Sequence, residues 1–292
     1  MKQTIVFPAL LFLLFCSICT VRCVSEATNA PSVNPVALIS FVDIQVGKSL
    51  EKTNLDRINS IAASVRKTFL EGQNIIPFSL KIYPLYYSTG DADPVFSFDK
   101  FKEIAKGVSR VEADNIRESF SPQKDYFKFR GQFLLDSTKT YKQIWPSVCR
   151  LKNVISRTAA SNICVIYYSD FTEFRSPADP QESRFLFTER LSNDRLVLAC
   201  DQLQAARQQL TDSTTVLGAA IADCRRAVKE AQSRQKHISV KLVKCHNDIK
   251  TDNCTGARPL EEYWLAFFEA LGIAGKDIVW ISETELGSEL GN

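Results

Sequence analysis

Two aspartates follow directly on apolar stretches of the chain, and their side chains could do chemistry together. Asp43 comes after residues 36–42, and Asp170 follows shortly after the run from Ile163 to Tyr168. Runs without polar alternation are typical of strands covered on both faces of a parallel sheet. Ligands of open α/β sheets bind at the carboxyl ends of the strands. The sequence therefore predicts a binding edge to which both aspartates contribute carboxylates.

The elements that must position these aspartates alternate along the chain. Strands are predicted at residues 36–42, 78–82, 163–168, 238–243 and 278–281, and helices at residues 55–69, 141–155, 201–210, 214–234 and 259–271. Because Pro146 falls within residues 141–155, that helix is either kinked or begins near Trp145. Strands that alternate with helices predict an α/β fold, with a mostly parallel sheet flanked by helices in three layers. This Rossmann-like arrangement places Asp43 and Asp170 at the same edge of the sheet.

Residues 88–135 do not fit this alternation. A turn is predicted at residues 90–94 and one helix at residues 100–119. The stretch that follows is rich in aromatic residues, namely Phe120, Tyr126, Phe127, Phe129 and Phe133. We interpret the segment as an aromatic-rich insertion packed over one edge of the sheet. Its aromatic residues form either a small core of their own or a surface for a partner.

The order of elements, with three polar strand edges, resembles a divergent von Willebrand factor A-like domain. The first strand ends in Asp43, a loop containing Thr138 and Thr140 precedes a helix, and the next strand ends in Asp170. In that family these edges supply a divalent-cation site, and a carboxylate from a protein partner completes the shell of the cation. The resemblance covers roughly residues 36–281, without the insertion and the extra helices.

The resemblance implies a degenerate metal-ion-dependent adhesion site. Asp43, Thr138 and Asp170 match the ligands of Mg²⁺ or Mn²⁺, and Thr140 is the alternative threonine. Two serines of the family's motif are replaced by Gln45 and Gly47, so Gln45 offers a carbonyl oxygen and Gly47 offers no side chain. Mg²⁺ requires a near-octahedral oxygen shell and keeps several waters. The expected binding edge therefore comprises Asp43, Gln45, Thr138, Thr140 and Asp170.

The first 23 residues have the pattern of a secretory signal peptide. Lys2 precedes the apolar run from Leu10 to Phe15, and cleavage after Cys23 or Ala27 fits the small residues there. A lipoprotein anchor at Cys23 is the alternative. We expect a flexible leader at residues 24–35, the domain at residues 36–285 with extra helices at residues 199–236, and a tail at residues 286–292. The protein is then secreted or periplasmic, with no transmembrane segment after the signal is removed.

Charge and cysteine content limit the function classes. Loss of residues 1–23 removes two basic residues and no acid, so the net charge falls from +3 to +1 and favours no nucleic-acid partner. Six cysteines remain, an even number typical of disulfides in exported proteins. The candidates are Cys149, Cys164, Cys200, Cys224, Cys245 and Cys254, of which Cys245 and Cys254 are the most local pair.

These observations favour a module that binds another protein, in adhesion or in an envelope assembly, over an enzyme. One alternative is a metal-assisted hydrolase in which Asp43 and Asp170 hold a metal that activates water. The chain has only two histidines, and Gln45 stands where aspartyl phosphohydrolases carry a second acid, so this alternative is disfavoured. In the other alternative the edge is purely structural, and the insertion binds the partner.

Overall fold

The computed structural model describes residues 35–44, 51–71, 75–85, 93–133, 144, 146–169, 171, 207–208, 210–244 and 259–290. All of these belong to one unit, Asn34–Asn292. The predicted signal peptide lies outside the described residues, as does nearly all of the predicted leader. No helix in the described ranges is long and apolar enough to cross a membrane.

Six strands of the described chain form a single sheet. They are β1 (Val36–Val42), β2 (Phe78–Pro84), β3 (Phe96–Asp99), β4 (Asn162–Ser169), β5 (His237–Lys244) and β6 (Ile278–Ile281). Their order is β3-β2-β1-β4-β5-β6. Every neighbouring pair is parallel, except that β3 runs antiparallel to β2. The predicted mostly parallel sheet is confirmed.

Helices cover both faces of this sheet. They are α1 (Glu51–Val65, continued by a π-helical turn at Arg66–Leu70), α2 (Phe101–Ala105), α3 (Arg110–Ser119), α4 (Pro122–Phe133), α5 (Ser147–Arg157), α6 (Val216–Ser233), α7 (Pro259–Ala270) and α8 (Leu286–Glu289). One core joins the sheet to α5, α6 and α7, and the other joins it to α1, α3, α4 and α8. The architecture is therefore the predicted three-layer α/β fold.

Strand β4 shows how one sequence serves both cores. Val165 and Tyr167 belong to the core on one face, whereas Ile166 and Tyr168 belong to the core on the other face. All four are essentially inaccessible to solvent. Because successive side chains of a strand point to opposite faces, a strand buried on both sides needs apolar residues at every position.

The insertion is more closely joined to the sheet than the sequence indicated. Residues 96–99, for which no strand was predicted, form β3 and extend the sheet beyond β2. The single helix predicted at residues 100–119 is two helices, because Gly107 has a positive φ of 83° between them. Phe120 and Tyr126 are buried in the same core as the sheet, so they do not form a separate core. Phe127 is 48% exposed.

The predicted tail also contains ordered structure. Helix α8 buries Leu286 completely, and the Thr68 hydroxyl donates a 3.1 Å hydrogen bond to the Gly287 carbonyl. Lys241 Nζ and Glu289 Oε2 form a 2.7 Å ion pair. The packed chain thus continues beyond residue 285, because Leu286 supplies apolar area to the core beside α1.

Candidate functional site at the carboxyl edge of the sheet

The two strands that carry the predicted aspartates are neighbours. Strand β1 pairs with β4 in parallel, and Val42 lies opposite Tyr168. The ladder continues past the end of β1, where the Asp43 N–H donates a 2.9 Å hydrogen bond to the Tyr168 carbonyl. The chain order reverses direction between β1 and β4, since β2 and β3 lie on one side and β5 and β6 on the other. Open α/β sheets bind ligands at such a switch point.

Asp43 is buried at this edge, and its residue exposure is 1%. Its carboxylate Oδ2 lies 3.3 Å from Arg57 Nη1, and the same Nη1 donates a hydrogen bond to the Asp43 carbonyl. One guanidinium nitrogen therefore serves both the side chain and the backbone of Asp43. Two opposite charges buried together neutralise each other, which offsets part of the cost of removing both from water.

Arg57 reaches Asp43 from α1, and sequence reasoning did not identify it. The arginine is 3% exposed and lies beside Ile58 and Ile61 on the buried side of α1, near the buried polar residue Asn54. Its Nη2 is buried without a hydrogen-bond partner among the described residues. A charged residue within the apolar face of a predicted helix was the available signal, since arginine is almost never fully buried unless it is paired.

Arg57 lies against one oxygen of Asp43, a residue predicted as a metal ligand. Its guanidinium, which carries a full positive charge, contacts the carboxylate Oδ2. Thr138, Thr140, Gln45 and Asp170 lie outside the described residues. Within the described ranges, no group of three or more His, Cys, Asp or Glu residues lies close enough to hold a metal ion. The metal role of Asp43, Thr138 and Asp170 stays a prediction.

The residues on either side of Asp170 are fixed in the interior. Ser169 and Phe171 are fully buried, and the Ser169 hydroxyl oxygen accepts a 3.1 Å hydrogen bond from the Phe171 N–H. Phe171 has a positive φ of 63°, a left-handed conformation that is rare for a bulky residue. Such strain persists only where the surrounding structure holds it, and it is enriched at functional sites.

Two tryptophans hold Phe171 in this conformation. The Trp264 indole N–H donates a 3.0 Å hydrogen bond to the Phe171 carbonyl, and the Trp280 ring packs edge-on with its centroid 4.5 Å from that of Phe171. Trp264 and Trp280 therefore fix the course of the chain where β4 ends.

No disulfide joins the cysteines that the structure describes. Cys164 and Cys224 are buried free thiols, so the expectation that they take part in disulfides is not supported. Burial raises the pKa of Cys164 from its ordinary 9.0 to about 11 and that of Cys224 to about 12. Both act as small apolar residues within the two cores. Cys149 is exposed on α5, and Cys200, Cys245 and Cys254 lie outside the described residues.

The strand order and the antiparallel edge strand define a doubly wound α/β sheet, the Rossmann-like arrangement that the sequence predicted. No protein-family model matches the chain. No curated protein matches it in sequence.

Among the solved structures that are similar to the chain are two of the type V pili tip protein Mfa5 from Porphyromonas gingivalis. Its three N-terminal domains are 10% identical to this chain with a TM-score of 0.37, and the match covers 89% of this chain. The chain spans about half of that structure, since the match covers 49% of it. The vWF domain alone is 11% identical with a TM-score of 0.36, and the match covers 88% of this chain and 92% of that domain. Because both scores are low, the fold assignment rests on the strand order.

Proposed function

We propose that the chain is an exported module that binds another protein through the carboxyl edge of its sheet, in adhesion or in an envelope assembly. The contact surface lies where β1 and β4 end, and the residues predicted for it are Asp43, Gln45, Thr138, Thr140 and Asp170. The apolar run that follows Lys2 supports export through a cleaved signal peptide, to the cell exterior or the periplasm.

One observation carries this proposal: the ion pair between Asp43 and Arg57 is buried at the switch point of the sheet. Removing two charges from water costs several kcal/mol per ion, and well-packed apolar residues of similar volume are often at least as stabilising. A buried ion pair departs from the usual preference for apolar residues in a core, and such departures are expected mainly at functional or strained sites. The left-handed Phe171 next to Asp170 is a second such break at the same edge.

Strand β5 offers a matched pair of positions for the test, because its last residue lies at the carboxyl ends of the parallel strands and its first residue lies at their amino ends. Lys244 ends the strand at the carboxyl edge with its side chain 23% exposed, and His237 begins it at the opposite edge with its side chain 59% exposed. A photo-crosslinking amino acid is placed at one of these positions at a time, and the cells that make the protein are irradiated.

We expect the probe at position 244 to give one specific adduct that the probe at position 237 does not give. An adduct only from position 237, or equal adducts from both positions, would contradict the proposal. A third probe at the half-exposed Phe127 tests whether the insertion binds the partner instead. A specific adduct from position 127 with none from position 244 would replace the proposal with that alternative.

A further inference from the structure

We propose that Arg57 is the built-in cation of this edge, so that Asp43 is neutralised by the chain itself and the edge works without a divalent metal ion. That this edge binds a partner rests on the proposed function. That Arg57 neutralises Asp43 does not depend on it, because this concerns only two charges within the chain.

The geometry places a cationic group directly on Asp43. Nη1 lies 3.3 Å from the carboxylate oxygen and also donates to the main-chain carbonyl of the same residue. One carboxylate oxygen and the main-chain carbonyl oxygen of Asp43 are thus engaged by one cationic group.

The electrostatics oppose a second cation at Asp43. Both side chains are almost fully buried, with exposures of 4% for Arg57 and 1% for Asp43, and charges there are screened less than at the surface. A divalent ion that bound the carboxylate would approach the guanidinium closely and would be repelled by it. To bind, it would have to displace an arginine whose stem is packed beside Ile58 and Ile61 in the core.

The position of Arg57 on α1 explains why the guanidinium stays in place. Arg57 lies one helical turn after Asn54 and one turn before Ile61, all on the buried face of the helix. Since α1 is anchored by apolar residues of the core, the arginine is delivered to Asp43 by a rigid element. The occupancy of a metal site would instead depend on the concentration of the ion in solution, whereas Arg57 is present in every copy of the folded chain.

Two measurements on the purified protein test this inference. The first titrates Mn²⁺ into the protein and follows free Mn²⁺ by electron paramagnetic resonance. We expect no binding with a Kd below about 1 mM, the weak end of protein cation sites. Binding tighter than this that is abolished by Asp43→Ala would overturn the inference.

The second measurement compares melting temperatures in EDTA and in Mg²⁺. The wild-type protein is expected to melt at the same temperature in both, whereas Arg57→Gln should lower Tm by on the order of 10 °C because it removes the positive charge beside a buried carboxylate. The double variant Asp43→Asn with Arg57→Gln should recover part of that loss. The matched control is Lys152→Gln, which breaks the half-exposed Lys152–Asp223 pair and should shift Tm only slightly.

Failure of this inference can be distinguished from failure of the proposed function. If the adduct from position 244 forms in cells but disappears when EDTA is added to permeabilised cells, the edge binds a partner through a metal and Arg57 is not its cation. An adduct that persists in EDTA supports both proposals. If no adduct forms, the proposed function fails, while the Mn²⁺ titration still decides the role of Arg57.

Discussion

The indole N–H of Trp264 donates a 3.0 Å hydrogen bond to the carbonyl of Phe171, and this bond links α7 to the end of β4. Both residues are almost completely buried. An acceptor in the interior that loses its donor keeps its desolvation cost without compensation. This hydrogen bond therefore stabilises the left-handed conformation of Phe171, just after the end of β4.

Trp264→Phe should lower the free energy of unfolding by about 2–4 kcal/mol, because it removes the donor and leaves a small cavity. Trp280→Phe is the matched control. The Trp280 indole nitrogen is buried without a hydrogen-bond partner among the described residues, so its loss should cost clearly less. Urea denaturation of the two variants checks the difference. Equal losses of unfolding free energy in the two variants would show that the hydrogen bond from the Trp264 indole does not stabilise the protein.

The buried thiol of Cys164 predicts how stability depends on alkaline pH. Its pKa is raised from 9.0 to about 11 by burial, so the unfolded chain loses the thiol proton at a lower pH than the folded chain. Stability is then fully present below about pH 9 and is lost as the pH rises toward 11. The loss attributable to this thiol is roughly 2–3 kcal/mol. Burial also raises the pKa of Tyr167, which adds a loss of the same sign at higher pH.

Cys164→Ala isolates the contribution of this thiol. Denaturation curves between pH 8 and pH 11 should show a shallower decline for the variant than for the wild-type protein. In a parallel measurement, iodoacetamide should modify Cys164 in the unfolded chain but not in the native protein, as mass spectrometry can establish. Rapid native modification, or parallel decline in the two proteins, would contradict the assigned burial.

Arg66 and Arg117 hold the insertion against the rest of the domain. Arg66 Nη2 donates to the carbonyls of Arg117 at 3.2 Å and Phe120 at 3.1 Å, and Arg117 Nε donates to the carbonyl of Leu70 at 2.7 Å. The Arg66 guanidinium also lies over the Phe120 ring, 5.8 Å from its centroid. Reciprocal contacts of this kind join the π-helical turn after α1 to the end of α3.

Arg66→Lys should loosen the insertion without unfolding the sheet. Lysine keeps the charge but lacks the planar, forked donors of arginine. We expect amide hydrogen exchange in α3 to accelerate several-fold, while exchange in β4 and β5 stays unchanged. Lys128→Ala is the control, since its 3.4 Å pair with Asp125 is exposed on α4. Uniform acceleration across the domain would show that these contacts stabilise the whole fold instead.

The sheet was predictable because its signals are local. The runs at residues 36–42 and 162–168 have apolar residues at nearly every position, as two-sided burial requires, and the structure forms β1 and β4 there. Strand β3 was missed although Phe96 and Phe98 alternate with polar residues. A strand of four residues is too short for periodicity to distinguish it from a loop.

The sequence by itself determined the three-layer fold and the edge at which Asp43 lies, since alternating elements and apolar runs depend on neighbours along the chain. Only the tertiary structure decided what Asp43 does there. Arg57 lies 14 positions further along the chain. Its place on the apolar face of a predicted helix indicates burial, but no local pattern shows which carboxylate it meets. The pairing exists because α1 and β1 contribute to the same buried core, where two opposite charges are stabilised by meeting.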